Sequence, residues 1–155
     1  MELEEILKEY ARLKQLGPLG LNSLGQCNLL INDNYLITFE KSLDKEGFYI
    51  YSNLVTIPSG READLFLLAL KGNLFGKETG HAHIGYAEEA RSLILFEYFD
   101  TQNLSYPHFS QRFERFVQYL FYWLIKLQSA ITQAPSSPRL EKRESHLPDK
   151  KIFYA

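Results

Sequence analysis

A single cysteine in 155 residues, a net charge of only -2 from 17 basic and 19 acidic side chains, and no long apolar run exclude several classes of protein at the outset. Cys27 has no second cysteine in the chain to pair with, so a disulfide-stapled scaffold is ruled out. A nearly neutral chain has no long-range attraction for phosphate backbones or anionic lipid, which argues against nucleic-acid and membrane binding. The most apolar stretch, Phe121 to Leu127, still contains Tyr122 and Lys126 and falls well short of the ~20 residues that cross a bilayer. The first residues, MELEEILKEY, are acidic and amphipathic and lack the basic and apolar regions of a secretory signal. The expectation is a soluble, cytoplasmic protein with no membrane insertion and no nucleic-acid partner.

Constellations that carry chemistry are equally sparse. His81 and His83 are two apart, so on a strand both imidazoles face one way, but two ligands do not make a metal site and no acidic or cysteine cluster supplies the rest. Ser52, Ser59 and Ser92 occupy no G-x-S-x-G elbow, and Cys27 reads as a small buried hydrophobe with no activating base in its strand. Gly72, Gly76, Gly80 and Gly85 form neither dinucleotide nor P-loop spacing. Glu88 with Glu89, and Glu40 with Asp44, read as solvated turn residues. The expectation is no enzyme, no catalytic residue, no cofactor and no metal.

What is present is a core. Hydrophobic residues make up 45% of the chain and aromatics 14%, enough for one packed domain. Apolar residues at Leu3, Ile6, Leu7, Tyr10, Leu13 and Leu16 recur at helical spacing, ended by Gly17-Pro18. Gln26 to Ile31, Tyr35 to Lys41 and Phe48 to about Val55 read as three strands joined by reversals at Asn32-Asp33-Asn34 and Asp44-Lys45-Glu46-Gly47. Ser59 with Glu62 predicts a capping box opening a second helix through Leu65, Leu68 and Ala69. His81 to Tyr86 and Ser92 to Phe99 read as two further strands. Ser105 with Pro107 predicts the start of a long third helix whose stripe is Phe109, Phe113, Phe116, Leu120, Leu124, Leu127 and Ile131. The fold class is therefore α+β, helix-βββ-helix-ββ-helix, with a twisted antiparallel sheet and helices packed against it. Residues 1-133 form one domain, and residues 134-155, polar and interrupted by prolines, read as a flexible tail.

The ten tyrosines and eleven phenylalanines are many for one domain. Alternation sends Tyr35, Ile37 and Phe39 to one face of the second strand and Leu36, Thr38 and Glu40 to the other; Phe48 and Ile50 oppose Tyr49 and Tyr51. One face is core. The other, with Leu30, Leu36, Tyr49 and Tyr51, either receives an extended partner or packs under the first helix or the tail.

Three stretches carry a family likeness. Leu36-Ile37-Thr38-Phe39 leads to Phe48-Tyr49-Ile50-Tyr51-Ser52-Asn53-Leu54 as a central hairpin. Leu67-Leu68-Ala69-Leu70-Lys71-Gly72-Asn73-Leu74-Phe75-Gly76 joins a leucine-rich helix to N-L-x-G, and Thr79-Gly80-His81-Ala82-His83-Ile84-Gly85-Tyr86 follows as a glycine-flanked strand. Leu93-Ile94-Leu95-Phe96-Glu97-Tyr98 then precedes a helix with Phe113, Phe116 and Trp123. In joint order and spacing, from Met1 to about Gln133, the chain resembles the class I type III secretion chaperones, the Tir chaperone family.

The resemblance implies a bacterial, cytoplasmic, non-enzymatic chaperone that holds an extended segment of a secreted effector protein in a secretion-competent state. It implies a homodimer, or a heterodimer with a related chaperone, paired through the second helix and fourth strand, with Leu65, Leu68, His81, His83, Ile84 and Tyr86 at the contact. Effector binding is expected on the first-helix stripe Leu3, Ile6, Leu7 and Tyr10 as the wall of a groove floored by Leu36, Tyr49 and Tyr51. The alternative is a regulatory protein of the same fold that binds a transcription or signalling component, a reading favoured by the basic cluster Arg139, Lys142 and Arg143. His81 and His83 stand where the family usually has small residues.

Overall fold

The computed structural model describes residues 1–133. The basic cluster Arg139, Lys142 and Arg143, and the terminal Ile152-Phe153-Tyr154, lie outside the described residues. The element order is α1 (Leu3–Lys14), β1 (Gln26–Ile31), β2 (Tyr35–Lys41), β3 (Phe48–Thr56), α2 (Glu62–Asn73), a 3-10 turn (Leu74–Gly76), β4 (His83–Ala87), β5 (Ser92–Phe99) and α3 (Tyr106–Thr132). This is the order expected from the sequence.

The strands form one antiparallel sheet in the order β1-β2-β3-β5-β4. Asn32 and Asp33 both take positive φ at the first reversal, a conformation that short polar side chains tolerate. At the second reversal only glycine fits: a Cβ on Gly47 would fall 2.2 Å from the carbonyl oxygen of Phe99.

Register sorts the side chains into two faces. Leu29 pairs with Ile37, Cys27 with Phe39, Phe48 with Phe99, and Ile84 with Leu95, and all of these side chains are buried. The α3 stripe Phe109, Phe113, Phe116, Leu120, Trp123 and Leu127 packs on this face. Its rings interlock with the sheet, Phe39 lying 5.5 Å from Phe113 and Phe99 5.6 Å from Phe109 between centroids, distances at which aromatic pairs attract beyond their area burial. Helix α1 joins the same layer, with Tyr10 set edge-on to Phe113 at 5.6 Å. A charged pair is enclosed there as well: Arg112 on α3 donates to the buried carboxylate of Glu97 at 2.7 Å and stacks over the ring of Phe99.

Three local expectations change. The capping box of Ser59 and Glu62 does not form; Gly60 turns the chain at positive φ and Arg61 becomes the N-cap of α2. The Arg61 guanidinium then pairs with Asp64 at 2.7 Å and donates to the carbonyls of Ala130 and Ile131, satisfying the end of α3. The fourth strand begins at His83, not His81, because Thr79 to Ala82 form a turn after positive-φ Gly80. Helix α1 ends at Lys14, before Gly17, with Gln15 in the left-handed region. Ser105 caps α3 through the His108 N–H, with Pro107 in the first turn, as the sequence predicts.

Candidate functional site

All three helices pack on one side of the sheet, leaving the opposite face without a covering element among the described residues. The side chains turned to that face are Gln26, Asn28 and Leu30 on β1, Leu36, Thr38 and Glu40 on β2, Tyr49, Tyr51 and Asn53 on β3, Ile94, Phe96 and Tyr98 on β5, and His83 on β4. Leu30 is 58% exposed and Leu36 48%. An open antiparallel sheet normally alternates apolar-in with polar-out; here leucines and aromatic rings stand among the polar side chains of the outer face as well.

The open face has internal order. Tyr49 lies 5.1 Å from Tyr98 and 6.5 Å from Phe96, whose ring is 5.8 Å from His83. The Lys45 ammonium sits 3.8 Å from the Tyr98 ring centroid, a cation-π geometry. Further along, the Glu40 carboxylate accepts from Tyr51 at 2.7 Å and from Gln26 at 2.9 Å. Burial, with the neighbouring Glu40 carboxylate second, pushes the Tyr51 phenol up to about 12, so it stays a donor at neutral pH. Thr38 donates to Asn28 at 2.8 Å. Leu36, Thr38, Tyr51, Asn53 and Ile94 line an open cavity of about 330 Å³ on this face. Glu40, Gln26, Tyr51, Thr38 and Asn28 are thus paired among themselves, while the leucines and rings beside them are offered.

The two outer edges of the sheet differ. At β4 the Asn73 side chain donates to the Ile84 carbonyl at 2.8 Å and accepts from the Ile84 N–H at 2.7 Å, so that edge is occupied by a side chain that mimics a strand. At β1 only Gln26 is met in this way, through Asn22. The strand alternation turns the main-chain groups of Asn28 and Leu30 to the same edge, where no described residue pairs with them.

This geometry corrects the predicted groove. Leu3, Ile6 and Leu7 are buried in the core beneath the sheet, whereas Leu36, Tyr49 and Tyr51 lie on its far side, so the two sets cannot be wall and floor of one groove. The helical periodicity of α1 was legible, but periodicity does not say on which side of a sheet a helix docks. Tyr10 is half-buried and lines a separate cavity of about 380 Å³ between α1, α3 and the end of β1, with Ile31, Phe113 and Glu114.

The predicted dimer contact divides in a similar way. Leu65 and Ile84 point into the protomer's own core. Leu68 is half-buried beside α3, while His81, His83 and Tyr86 are exposed, and Tyr86 is set edge-on to Phe66 at 4.9 Å. The outward apolar residues of this region are instead Leu67, Leu70, Leu74 and Phe75, the last 92% exposed. Helix α2 is apolar on both sides, so its sequence carries no periodic signal to separate the stripe Leu67, Leu70 and Leu74 from the buried Leu65, Ala69 and Gly72.

Among the described residues no three His, Cys, Asp or Glu side chains converge on a metal-sized site, and no helix is long and apolar enough to cross a membrane. Burial pushes the Cys27 thiol up, the direction opposite to that of a reactive cysteine. The surface offers apolar side chains and a free strand edge, the two features by which an extended polypeptide docks on a sheet.

Residues 5–124 match the model of the Tir chaperone protein (CesT) family. A Chlamydia pneumoniae protein, CPj0713/CpB0740, is 27% identical over 126 residues, covering 81% of this chain and 95% of that protein. Among solved structures, a chain of the HopA1-SchA chaperone-effector complex superposes with a TM-score of 0.64 at 17% identity, over 78% of this chain and 91% of its own length. A chain of the ExsC-ExsE complex gives 0.63 at 18% identity, over 81% and 96%. At these identities the structural likenesses establish the fold.

Proposed function

This chain belongs to the Tir chaperone protein (CesT) family, and on that premise we propose that it is a type III secretion chaperone, binding an extended segment of a secreted effector without covalent chemistry. The observation that carries the reading is the uncovered sheet face: Leu30, Leu36, Tyr49, Tyr51 and Phe96 stand open on it while every helix among the described residues packs behind the sheet. A partner strand adds at the free edge of β1, through the main chain of Asn28 and Leu30, and its side chains reach the open face. Each buried leucine or aromatic anchor contributes about 1.5 to 3 kcal/mol, so two or three determine affinity. Holding the segment extended keeps its apolar surface from aggregating.

The family membership and the solved chaperone-effector complex of the same fold support an effector as partner. The protein acts in the bacterial cytoplasm, as a homodimer or paired with a related chaperone, and the outward face of α2 with Leu67, Leu70 and Leu74 supplies the dimer contact. Its work is binding, with no enzymatic step and no cofactor. Residues 1-133 form one domain in this reading, and residues 134-155 lie outside the described residues.

The test is capture of the tagged chain from the bacterium that encodes it, followed by hydrogen exchange on the purified complex. A secreted protein that co-purifies and protects the amides of β1 supports the proposal. Protection confined to the helical layer refutes the binding face, and a transcription factor as sole stable partner favours the regulatory alternative.

A further inference from the structure

The cavity on the open sheet face suits an apolar side chain. Its volume is about 330 Å³ and its lining includes Leu36, Tyr51 and Ile94; an apolar cavity of about 150 Å³ already holds a benzene ring. Three polar groups of the lining have their hydrogen bonds elsewhere, since Thr38 donates to Asn28, Tyr51 to Glu40, and Ser52 to the Leu36 carbonyl at 2.7 Å. An apolar occupant leaves these bonds intact.

Acidic side chains stand on both sides of this cavity. Asn34 and Ala90 line it; Asp33 directly precedes the first, and Glu88 and Glu89 precede the second in the turn between β4 and β5. All three are exposed, and among the described residues none is in an ion pair. The occupant that fits is an apolar anchor with basic residues beside it.

The sequence of this same chain holds such a segment. Ile152-Phe153-Tyr154 is the one run of consecutive large apolar residues after Gln133, and Lys150 and Lys151 stand directly before it. Of the 17 basic and 19 acidic side chains, five and three lie beyond residue 133, so residues 134-155 carry a charge of +2 and residues 1-133 a charge of -4. Opposite charges on the two parts draw them together.

The described chain also ends near this face. The Gln133 carbonyl accepts from Arg61 at 3.3 Å, and the last turns of α3, at Leu124, Ile125, Gln128 and Ser129, share a cavity with Tyr35, Leu54 and Val55. Tyr35 lines the open-face cavity too, so α3 runs out at the end of the sheet where that cavity lies. Twenty residues from Gln133 to Phe153 reach up to about 66 Å, against about 20 Å across five strands. The cavity between α2 and α3, which Gln133 itself borders, is lined by Lys126 and by no acidic side chain, so it offers Lys150 and Lys151 no complement.

We propose that Lys150 to Tyr154 of this chain occupy its own open sheet face when no effector is bound, with Phe153 in the cavity between Leu36 and Ile94 and with Lys150 and Lys151 beside Asp33, Glu88 and Glu89. The proposal rests on the reading that this face receives the effector, and it adds a built-in competitor that covers the face between effectors. Tethering gives the segment an effective concentration on the order of millimolar. A weak contact therefore covers the apolar face, and a tightly bound effector displaces it.

The experiment is methyl NMR of the full chain and its variants. Phe153→Ala is expected to shift the methyl signals of Leu36 and Ile94, through loss of the ring beside them, and to leave those of Ile50 and Leu65 in the core unmoved. Lys150→Glu with Lys151→Glu is expected to produce the same shifts, and Glu88→Lys with Glu89→Lys in the same chain to reverse them. In calorimetry, Phe153→Ala is expected to bind the captured effector segment about 3- to 10-fold more tightly than the parent. Leu36 and Ile94 signals indifferent to Phe153→Ala, or shifts confined to Leu68 and Ile125, overturn the proposal while leaving the effector site intact. Shifts that grow with protein concentration assign the segment to a second copy and overturn it likewise. If the captured effector segment moves neither Leu36 nor Ile94 in the parent or in Phe153→Ala, the reading of the open face as the effector site fails, and the competition with it.

Discussion

Gly72 lies against the indole of Trp123 so closely that a Cβ on residue 72 would fall 2.2 Å from the ring. The ring cannot withdraw, because Trp123 is wholly buried and its indole N–H donates to the Glu78 carbonyl at 2.7 Å. Gly72, in the last turn of α2, is thus a packing requirement between α2 and α3. Gly72→Ala improves local helix propensity by up to about 1 kcal/mol, but overpacking against a fixed ring costs about 1 to 3 kcal/mol. A net loss of stability is expected in thermal or urea unfolding, and a variant as stable as the parent shows that α2 can shift away from Trp123.

The two sheet faces make opposite predictions for the same substitution. Ile6→Asp places an unpaired carboxylate in the core beside Leu3 and Leu7, at a cost of several kcal/mol, and is expected to unfold the protein or leave it compact without fixed packing. Tyr49→Asp removes a half-exposed ring from the open face and is expected to leave a cooperative thermal transition within a few degrees of the parent, while binding of an effector segment falls at least tenfold. Circular dichroism and titration calorimetry separate these outcomes; a folded Ile6→Asp variant places α1 elsewhere.

The strands, their alternation and the third helix were legible because each is a local pattern: Phe48 and Ile50 against Tyr49 and Tyr51, or Ser105 with Pro107 before a 27-residue helix. What stayed hidden depends on contacts between distant segments. That Tyr49 faces outward and Phe48 the core follows from where α3 lies, since alternation alone leaves open which of two aromatic faces is covered. Ser59 matched a capping pattern, yet Arg61, which reaches carbonyls about seventy positions away on α3, took the cap. Leu65 and Leu67 belong to one leucine-rich run, and only the packing of α2 against the sheet makes one of them core and the other surface.

Glu97 gives the stability a pH dependence of defined sign. Burial raises its carboxyl above the ordinary value of 4.5, with attraction from Arg112 offsetting part of the effect. A carboxyl raised in the folded state contributes stability that is fully present below the unfolded value and is lost as pH rises through the folded one. Glu97→Gln keeps an acceptor for the Arg112 N–H and removes the titration. The stability of Glu97→Gln relative to the parent is therefore expected to improve as pH rises from about 4.5 towards neutrality; a difference that is constant over that range shows that Glu97 titrates as it does in the unfolded chain.

Strand addition at β1 is separable from side-chain docking by one pair of substitutions at Leu30. Its side chain is exposed and its main-chain N–H turns to the free edge, where proline is tolerated because no internal bond is lost. Leu30→Thr shortens the apolar side chain and keeps the donor; Leu30→Pro removes the donor as well and sets a rigid ring against any incoming strand. If the effector segment pairs with β1, both variants remain folded, Leu30→Thr weakens binding a few fold, and Leu30→Pro weakens it by a further factor of about ten, from a hydrogen bond worth about 1 kcal/mol and the steric block. Equal affinities for the two variants, measured by calorimetry with the captured segment, mean that the partner uses the open face alone and leaves the β1 edge free.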